Sequence, residues 1–389
     1  MENYLNSLQS FFDHSNCLNL SGEPIDVISN FLYTEGENIY RSILQPVIMY
    51  AGLLGNIAFV AVVLIVPYMH TVTNMYLTSL AIADVIFLAV YPGHETWIWY
   101  ASPIRGDVSP LGKVGCPVVH FIVSVSYCSS LFTITLVTLE RFFGICYPLK
   151  HRVLAGRKRT MKLITASWCI AVVLGFLYSL LSFKMKTYCI IWPDIDTFKN
   201  YPKYFGRCSE ISSSLTPYLR VFYLLMFCTV TLGNIVLYII IMKRMNMRTK
   251  TKAHTVSVQQ ATKIRNAVGK MLILNGAVFF LCQAPYQIVS IIIYVGEYVE
   301  LGETTTEQLT ISLWINNLLL CINSGINPVI YNISNPRCRK AFVEVFTGRY
   351  FCRQERDTVM TNTVTMGMTY PVHRNKEENP VVLVAASRI

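Results

Sequence analysis

At 389 residues, 53% apolar and only 14% charged, the chain has the wrong composition for two or three soluble domains. Its formal charge of +11 would suit nucleic acid, but the basic residues are gathered between long apolar stretches, a membrane pattern that leaves no nucleic-acid surface. Seven stretches are long enough to cross a hydrocarbon core of roughly 30 Å: approximately 43–67, 75–100, 117–146, 162–183, 216–242, 268–295 and 308–332.

The segment after the third stretch carries Lys150, Arg152, Arg157, Lys158, Arg159 and Lys162, and the one after the fifth carries Lys243, Arg244, Arg248, Lys250, Lys252, Lys263 and Arg265, neither with an acid. Acids gather instead in the N-terminal tail and in the loop from Glu297 to Glu307. The positive-inside rule therefore predicts an extracellular N-terminus and a cytoplasmic C-terminus. No basic n-region precedes an apolar core in the first forty residues, so no cleavable signal peptide is expected. Asn19-Leu20-Ser21 is a glycosylation sequon on the outer side, whereas Asn332-Ile333-Ser334 falls on the inner side. The division expected is a tail over 1–42, a helical bundle over 43–332, an amphipathic helix over 333–348 and a disordered cytoplasmic tail over 349–389.

In the first stretch Gly52, Gly55 and Asn56 suit close helix packing, with one amide bonding a neighbour's backbone. The second carries Asp84 with no basic residue nearby, and an ionisable group at membrane depth reads as a functional site facing the bundle interior. Glu95, eleven residues on, lies roughly 16 Å further outward on nearly the same face, with Pro92 bending the helix between them. His94 and Glu95 are expected to line an outward-facing cavity; the alternative is an interfacial pair among headgroups. Trp97, Trp99 and Tyr100 resemble an aromatic belt.

Cys116 opens the third stretch, and the loop before the fifth offers Cys189 and Cys208 as disulfide partners. Cys208 is preferred because it lies just before the fifth stretch, which leaves Cys189 for Cys17 or unpaired; sequence alone does not decide connectivity. Val123, Ser126, Tyr127 and Ser130 form a mixed polar face, unless the serines bond back to their own helix. Trp168 in the fourth stretch reads as packing. Arg220 in the fifth reaches a ligand or snorkels to the interface, with Asn234 and Tyr238 deeper.

In the sixth stretch, which reads Phe279-Phe280-Leu281-Cys282-Gln283-Ala284-Pro285-Tyr286-Gln287, Pro285 is a natural hinge, and Gln283 shares a face with Gln287. The seventh supplies Asn316, Asn317, Asn323, Ser324, Asn327, Pro328 and Tyr331, polar groups that other helices, water or an ion must satisfy. Beyond it Phe342, Val345 and Phe346 alternate with Arg339 and Lys340 as in an amphipathic surface helix, with Cys352 a candidate for palmitoylation. Ser387-Arg388-Ile389 resembles a PDZ ligand, although three residues match by chance easily.

The ordered set of Gly55-Asn56, Leu80-Ala81-Ile82-Ala83-Asp84, Cys116, Glu140-Arg141-Phe142, Trp168, Tyr238, Cys282, Pro285 and Asn327-Pro328-Val329-Ile330-Tyr331 resembles the rhodopsin-like (class A) G-protein-coupled receptors over residues 43–346. The resemblance implies an all-α seven-transmembrane bundle in the plasma membrane, with no enzymatic activity. It implies no cofactor beyond an allosteric sodium ion held by Asp84, Ser130, Asn323, Ser324 and Asn327. Ligand contacts would fall on His94, Glu95, Val123, Tyr127, Arg220, Tyr286, Gln287, Asn316 and Asn317. Coupling would fall on Glu140, Arg141, Tyr238, Phe279, Gln283, Pro285, Asn327, Pro328 and Tyr331, with the sixth helix moving outward about Pro285. A heterotrimeric G protein, arrestin and receptor kinases would be the inner partners, beside membrane lipid.

Three departures stand out: Glu140 replaces the family's aspartate, Gln283 its sixth-helix tryptophan and Val230 its fifth-helix proline. Arg265 also stands where many relatives have an acid. Val123, in place of the aminergic aspartate, disfavours amines, and the absence of a lysine in the seventh stretch disfavours retinal. TSLAIAD and LERFFGICYPL look most like the neuropeptide receptors of the thyrotropin-releasing-hormone and neuromedin type. A receptor for a small molecule or lipid is the alternative. A transporter or ion pump would show internal repeats, which are not found, and His94 and His120 do not form a metal-ligand spacing.

Overall fold

The computed structural model describes residues 17–154, 156–180, 183–210, 216–250, 256–296 and 306–350. Six of its helices are long and apolar enough to cross a membrane. They are Glu35–Ile65 (α2), Val72–Ala101 (α3), Ser109–Cys146 (α4, its α-helical part Gly112–Cys146), Arg157–Ser179 (α6, α-helical to Gly175), Tyr218–Met247 within Thr216–Lys250 (α7) and Met271–Ile292 within Val256–Gly296 (α8). The seventh, Thr306–Ser334 (α9), packs against α2, α3 and α8 and completes a seven-helix bundle. Two short helices lie outside the spans, Ile25–Ser29 (α1) and Pro148–Leu154 (α5).

The first span starts eight residues before the apolar stretch at 43, within what the sequence reads as tail. The Thr34 hydroxyl accepts from the Glu37 amide at 3.2 Å, and the Glu37 carboxylate accepts from the Thr34 amide at 3.0 Å, a reciprocal cap for the first turn. Glu37 is 1% exposed, and Arg105 from the connection between α3 and α4 pairs with it at 2.8 Å.

Close packing brings α2 onto α9. A Cβ on Gly52 would meet the Gly325 Cα at 2.9 Å and Leu88 at 2.7 Å, so only glycine permits the approach. Asn56 then donates to the carbonyls of Gly52 and Ser324, each at 2.9 Å.

A three-stranded sheet caps one end of the bundle, an element that the sequence reading did not include. Its order is β1 (Cys17–Asn19), β2 (Phe183–Ile191), β3 (Tyr204–Glu210). Strand β1 runs parallel to β2 with Cys17 opposite Cys189, and β2 runs antiparallel to β3 with Cys189 opposite Tyr204. Leu18, Leu20, Ile28, Phe31, Ile104, Ile190 and Phe205 form a separate small core beneath it. Two disulfides hold it: Cys116–Cys208, the preferred pairing, ties β3 to α4, and Cys17–Cys189 ties β1 to β2.

Helix α10 (Pro336–Phe346) buries Cys338 and Ala341 and exposes Arg339 and Lys340. From Val343 the chain belongs to a second compact unit, whose described part finishes this helix and turns at Gly348, where φ is +72°. Cys352 and Ser387-Arg388-Ile389 lie outside the described residues.

Candidate functional site

At the sheet end, Glu95 is not left open toward a cavity. Its Oε2 accepts from Arg41 Nη1 and its Oε1 lies 3.2 Å from His94 Nε2. Arg41 also lies over the Tyr33 ring at 5.4 Å and donates to the Glu95 carbonyl at 3.4 Å. Burial pushes the Tyr33 phenol up, with the Arg41 charge opposing. The Glu95 carboxylate ties α3 to α2 through Arg41, and Gln45 adds a second tie by donating to the Pro92 carbonyl at 2.9 Å. A charge taken out of water needs an opposite charge or a full set of hydrogen bonds, and Arg41 is the one lysine or arginine before Arg105.

Behind the clamp lie neutral polar groups. Tyr91 donates to Asn317 Oδ1, and Gln287 Nε2 donates to the Tyr127 hydroxyl at 3.4 Å, joining α8 to α4. Asn316 is 2% exposed, and its Nδ2 finds no partner among the described residues. Val123 packs with Phe87, Leu88, Leu320 and Cys321, while Ser126 bonds back to the Ile122 carbonyl at 2.9 Å. Tyr286 is 41% exposed and interacts electrostatically with Arg220, so these two do not join the enclosed set.

In mid-bundle, Asp84 is 1% exposed, and its Oδ2 accepts from Asn327 Nδ2 at 2.6 Å. Ser324 also hydrogen-bonds the carboxylate, and no basic side chain pairs with it among the described residues. Asn323, Ser324, Asn327 and Ser130 are all buried. A buried carboxylate with no cationic partner, beside buried serine and asparagine side chains, has the residue types that suit a small hard cation, although Asn327 here turns its amide nitrogen to Asp84. Phe279, Phe280 and Phe227 pack just inside with Val230 beside them, and Gln283 is buried one turn away.

At the far end, Glu140 does not pair with Arg141. Its Oε1 lies 2.6 Å from His151 Nε2, on α5. Among the described residues Arg141 has no carboxylate within 4 Å, though the Glu140 charge still acts on it, and its Nε is buried without an acceptor. The Tyr238 hydroxyl lies 3.0 Å from that of Thr138, with its ring in a notch left by Gly276, where a Cβ would come within 1.8 Å of the hydroxyl. Asn275, 3% exposed with an unpartnered Oδ1, lines a small cavity with Thr138 and Tyr238. Tyr331 is buried against Phe59 with ring centroids 5.0 Å apart, and Pro328 packs on Gly55.

The family model for the 7 transmembrane receptor (rhodopsin family) matches residues 55–331, from Gly55 to the buried Tyr331. The chain belongs to the rhodopsin family of seven-transmembrane receptors. Similar proteins include the neuromedin-U receptor 2 of Rattus norvegicus, 24% identical over 312 residues, with 78% of this chain and 74% of the relative covered. The thyrotropin-releasing hormone receptor of Gallus gallus is 26% identical over 361 residues, covering 84% of this chain and 82% of the relative. The growth hormone secretagogue receptor type 1 of Homo sapiens is 24% identical over 316 residues, covering 79% and 81%. This receptor is therefore a multi-pass membrane protein whose polar groups lie in three layers: the sheet-end set, Asp84 and its amides, and Arg141 with His151 and Tyr238.

Proposed function

We propose that this receptor sits in the plasma membrane with its sheet outside, binds an extracellular peptide there and activates a heterotrimeric G protein at the Arg141 end. The peptide reading is carried by the relatives named for neuromedin-U and thyrotropin-releasing hormone, which align over 78% and 84% of this chain. The orientation rests on the basic segments around Lys150–Lys162 and Lys243–Arg265, which the positive-inside rule places in the cytoplasm.

The enclosed groups Tyr127, Gln287, Asn316 and Asn317 supply hydrogen-bonding partners for a ligand, while Arg41, His94 and Glu95 fix the wall between α2 and α3. An agonist that binds the open form more tightly shifts the population toward it. Opening moves α8 outward about Pro285, which draws Gly276 away from Tyr238 and exposes Arg141. Asp84, Ser130, Asn323, Ser324 and Asn327 would hold sodium, supplying positive charge between the two ends in the closed form. Arrestin, receptor kinases and a PDZ domain are proposed partners of the C-terminal tail, with Asn19 carrying glycan and Cys352 palmitate.

A library of amidated neuropeptides applied to cells expressing the receptor, read by calcium and cyclic AMP, tests this reading. A peptide that drives nucleotide exchange on a G protein is the expected result. Substrate or ion flux without such exchange would overturn it.

A further inference from the structure

We infer that Asn275 holds one water molecule against Tyr238, and that this water ties the inner arm of α8 to α7 and α4. Its part in coupling rests on the receptor reading above; the water itself does not.

Hydrogen-bond accounting makes the point. Thr138 Oγ1 lies 2.8 Å from the Ile134 carbonyl and 3.0 Å from the Tyr238 hydroxyl. A carbonyl only accepts and Thr138 has one hydroxyl proton, so Thr138 donates to Ile134 and Tyr238 donates to Thr138. The Tyr238 oxygen keeps its capacity to accept. Asn275 is 3% exposed, yet its Oδ1 has no partner among the described residues. Two acceptors cannot serve each other, and an acceptor buried without a donor is costly. One water molecule, donating a proton to each, satisfies both.

The space suits it. Asn275, Thr138 and Tyr238 line a cavity that offers about 10 Å³ to the centre of a water molecule, roughly the least that admits one. The remaining walls are Leu77, Leu80, Ile134, Val137 and Leu272, which offer no side-chain hydrogen bond. A wholly apolar cavity of this kind stays dry; three polar groups in one wall make the difference. Gly276 brings them together, since its missing side chain lets the Tyr238 ring lie against α8 beside Asn275.

The placement gives the water a role. Asn275 precedes Pro285 by ten residues, about 15 Å along the helix, and so lies on the arm that swings. Tyr238 is on α7 and Thr138 on α4. A water bridge is nearly as favourable as a direct hydrogen bond. Outward movement of α8 separates Asn275 from Tyr238 and breaks it, so the bridge favours the closed form and restrains agonist-independent coupling. Asn275 is thus a positioning residue.

The test uses the full-length receptor in lipid nanodiscs without agonist. X-ray pulses turn bound water into hydroxyl radicals that label the side chain beside it, read by mass spectrometry. Tyr238 should be labelled in the native receptor, whereas Phe279, 2% exposed in an apolar cluster, should not. In Asn275→Leu, the apolar isostere, Tyr238 labelling should be lost. A Tyr238 as unlabelled as Phe279 in the native receptor overturns the inference, even if the variant does not fold; so does equal Tyr238 labelling in both. Guanine-nucleotide exchange on purified G proteins is the second readout, and Asn275→Leu should raise it by about fivefold or more, the range of one coupling free energy. Lost labelling without that rise, in a receptor that does drive exchange, overturns the restraint. Lost labelling in a receptor that drives no exchange in either form supports the water and refutes the coupling reading instead.

Discussion

Replacing Glu95 by leucine should destabilise the receptor far more than replacing both members of its ion pair. The Arg41 and Glu95 side chains are 10% and 20% exposed. In Glu95→Leu the guanidinium keeps the residue-95 carbonyl at 3.4 Å, the Tyr33 face at 5.4 Å and the more distant Glu37 charge, but no carboxylate in contact. Breaking a buried pair from one side costs about 3–5 kcal/mol, because the remaining charge is uncompensated. Arg41→Met should cost less, roughly 1.5–3 kcal/mol, since Glu95 retains His94 as a charge-assisted partner. The double variant should come within about 1 kcal/mol of native, because an apolar pair of similar volume replaces the ions. At about 2 °C per kcal/mol for a chain of this size, Glu95→Leu shifts the midpoint down by about 6–10 °C. Labelling of the buried Cys128 and Cys321 by a thiol dye during heating of the solubilised receptor reads that midpoint. A Glu95→Leu midpoint within about 2 °C of native, or a double variant losing the sum of the singles, would refute the clamp.

Gly276→Ala should drive the Tyr238 ring off Thr138, since its Cβ would lie 1.8 Å from the hydroxyl and 2.6 Å from Cζ. Altered basal exchange with normal surface expression is the expected outcome, and exchange identical to native refutes the notch. If Asp84 holds sodium, replacing choline chloride by sodium chloride should raise the thermal midpoint of the native receptor, by mass action, but not that of Asp84→Asn. An equal sodium response in both would place the ion elsewhere. Cys17→Ser should release β1, weakening local structure by about 2–4 kcal/mol. Hydrogen exchange should then quicken at Leu20, whose amide bonds the Ile191 carbonyl at 2.9 Å, and stay slow at Leu131 in α4. Unchanged exchange at Leu20 would show that the disulfide is dispensable for the strand.

Hydropathy located all seven spans, since lipid selects for length and apolarity alone. It missed the outer turns of α2, because Glu37 and Arg41 are shielded by Arg105 and Glu95 rather than by being apolar. The sheet escaped notice because β1 is three residues long and takes its partner from a distant loop. Among the site residues, Asp84 and the seventh-helix amides were legible, since polar groups at membrane depth have few explanations. Glu95 was legible as a charge on the outer part of α3, lining a cavity or lying among headgroups, but its tie to α2 needed the location of Arg41. His151 was not legible, because one histidine among the bases of a loop carries no signal until the loop is folded. Gly276 likewise has no sequence mark, its meaning lying in the ring that fills it.

The bond between Cys17 and Cys189 closes a span of 172 residues. During synthesis Cys17 emerges first, and its partner follows only after four membrane-spanning helices have been made. At about 5–20 residues per second that interval is on the order of ten to thirty seconds. With the sheet outside, as proposed, Cys116 enters the same compartment before Cys189, so the first thiol available to Cys17 is the wrong one. The cell must keep Cys17 reduced, or reshuffle a mistaken bond, before the receptor leaves the compartment in which it folds. Surface yield should therefore depend on disulfide isomerase capacity more than on the stability of the finished bundle.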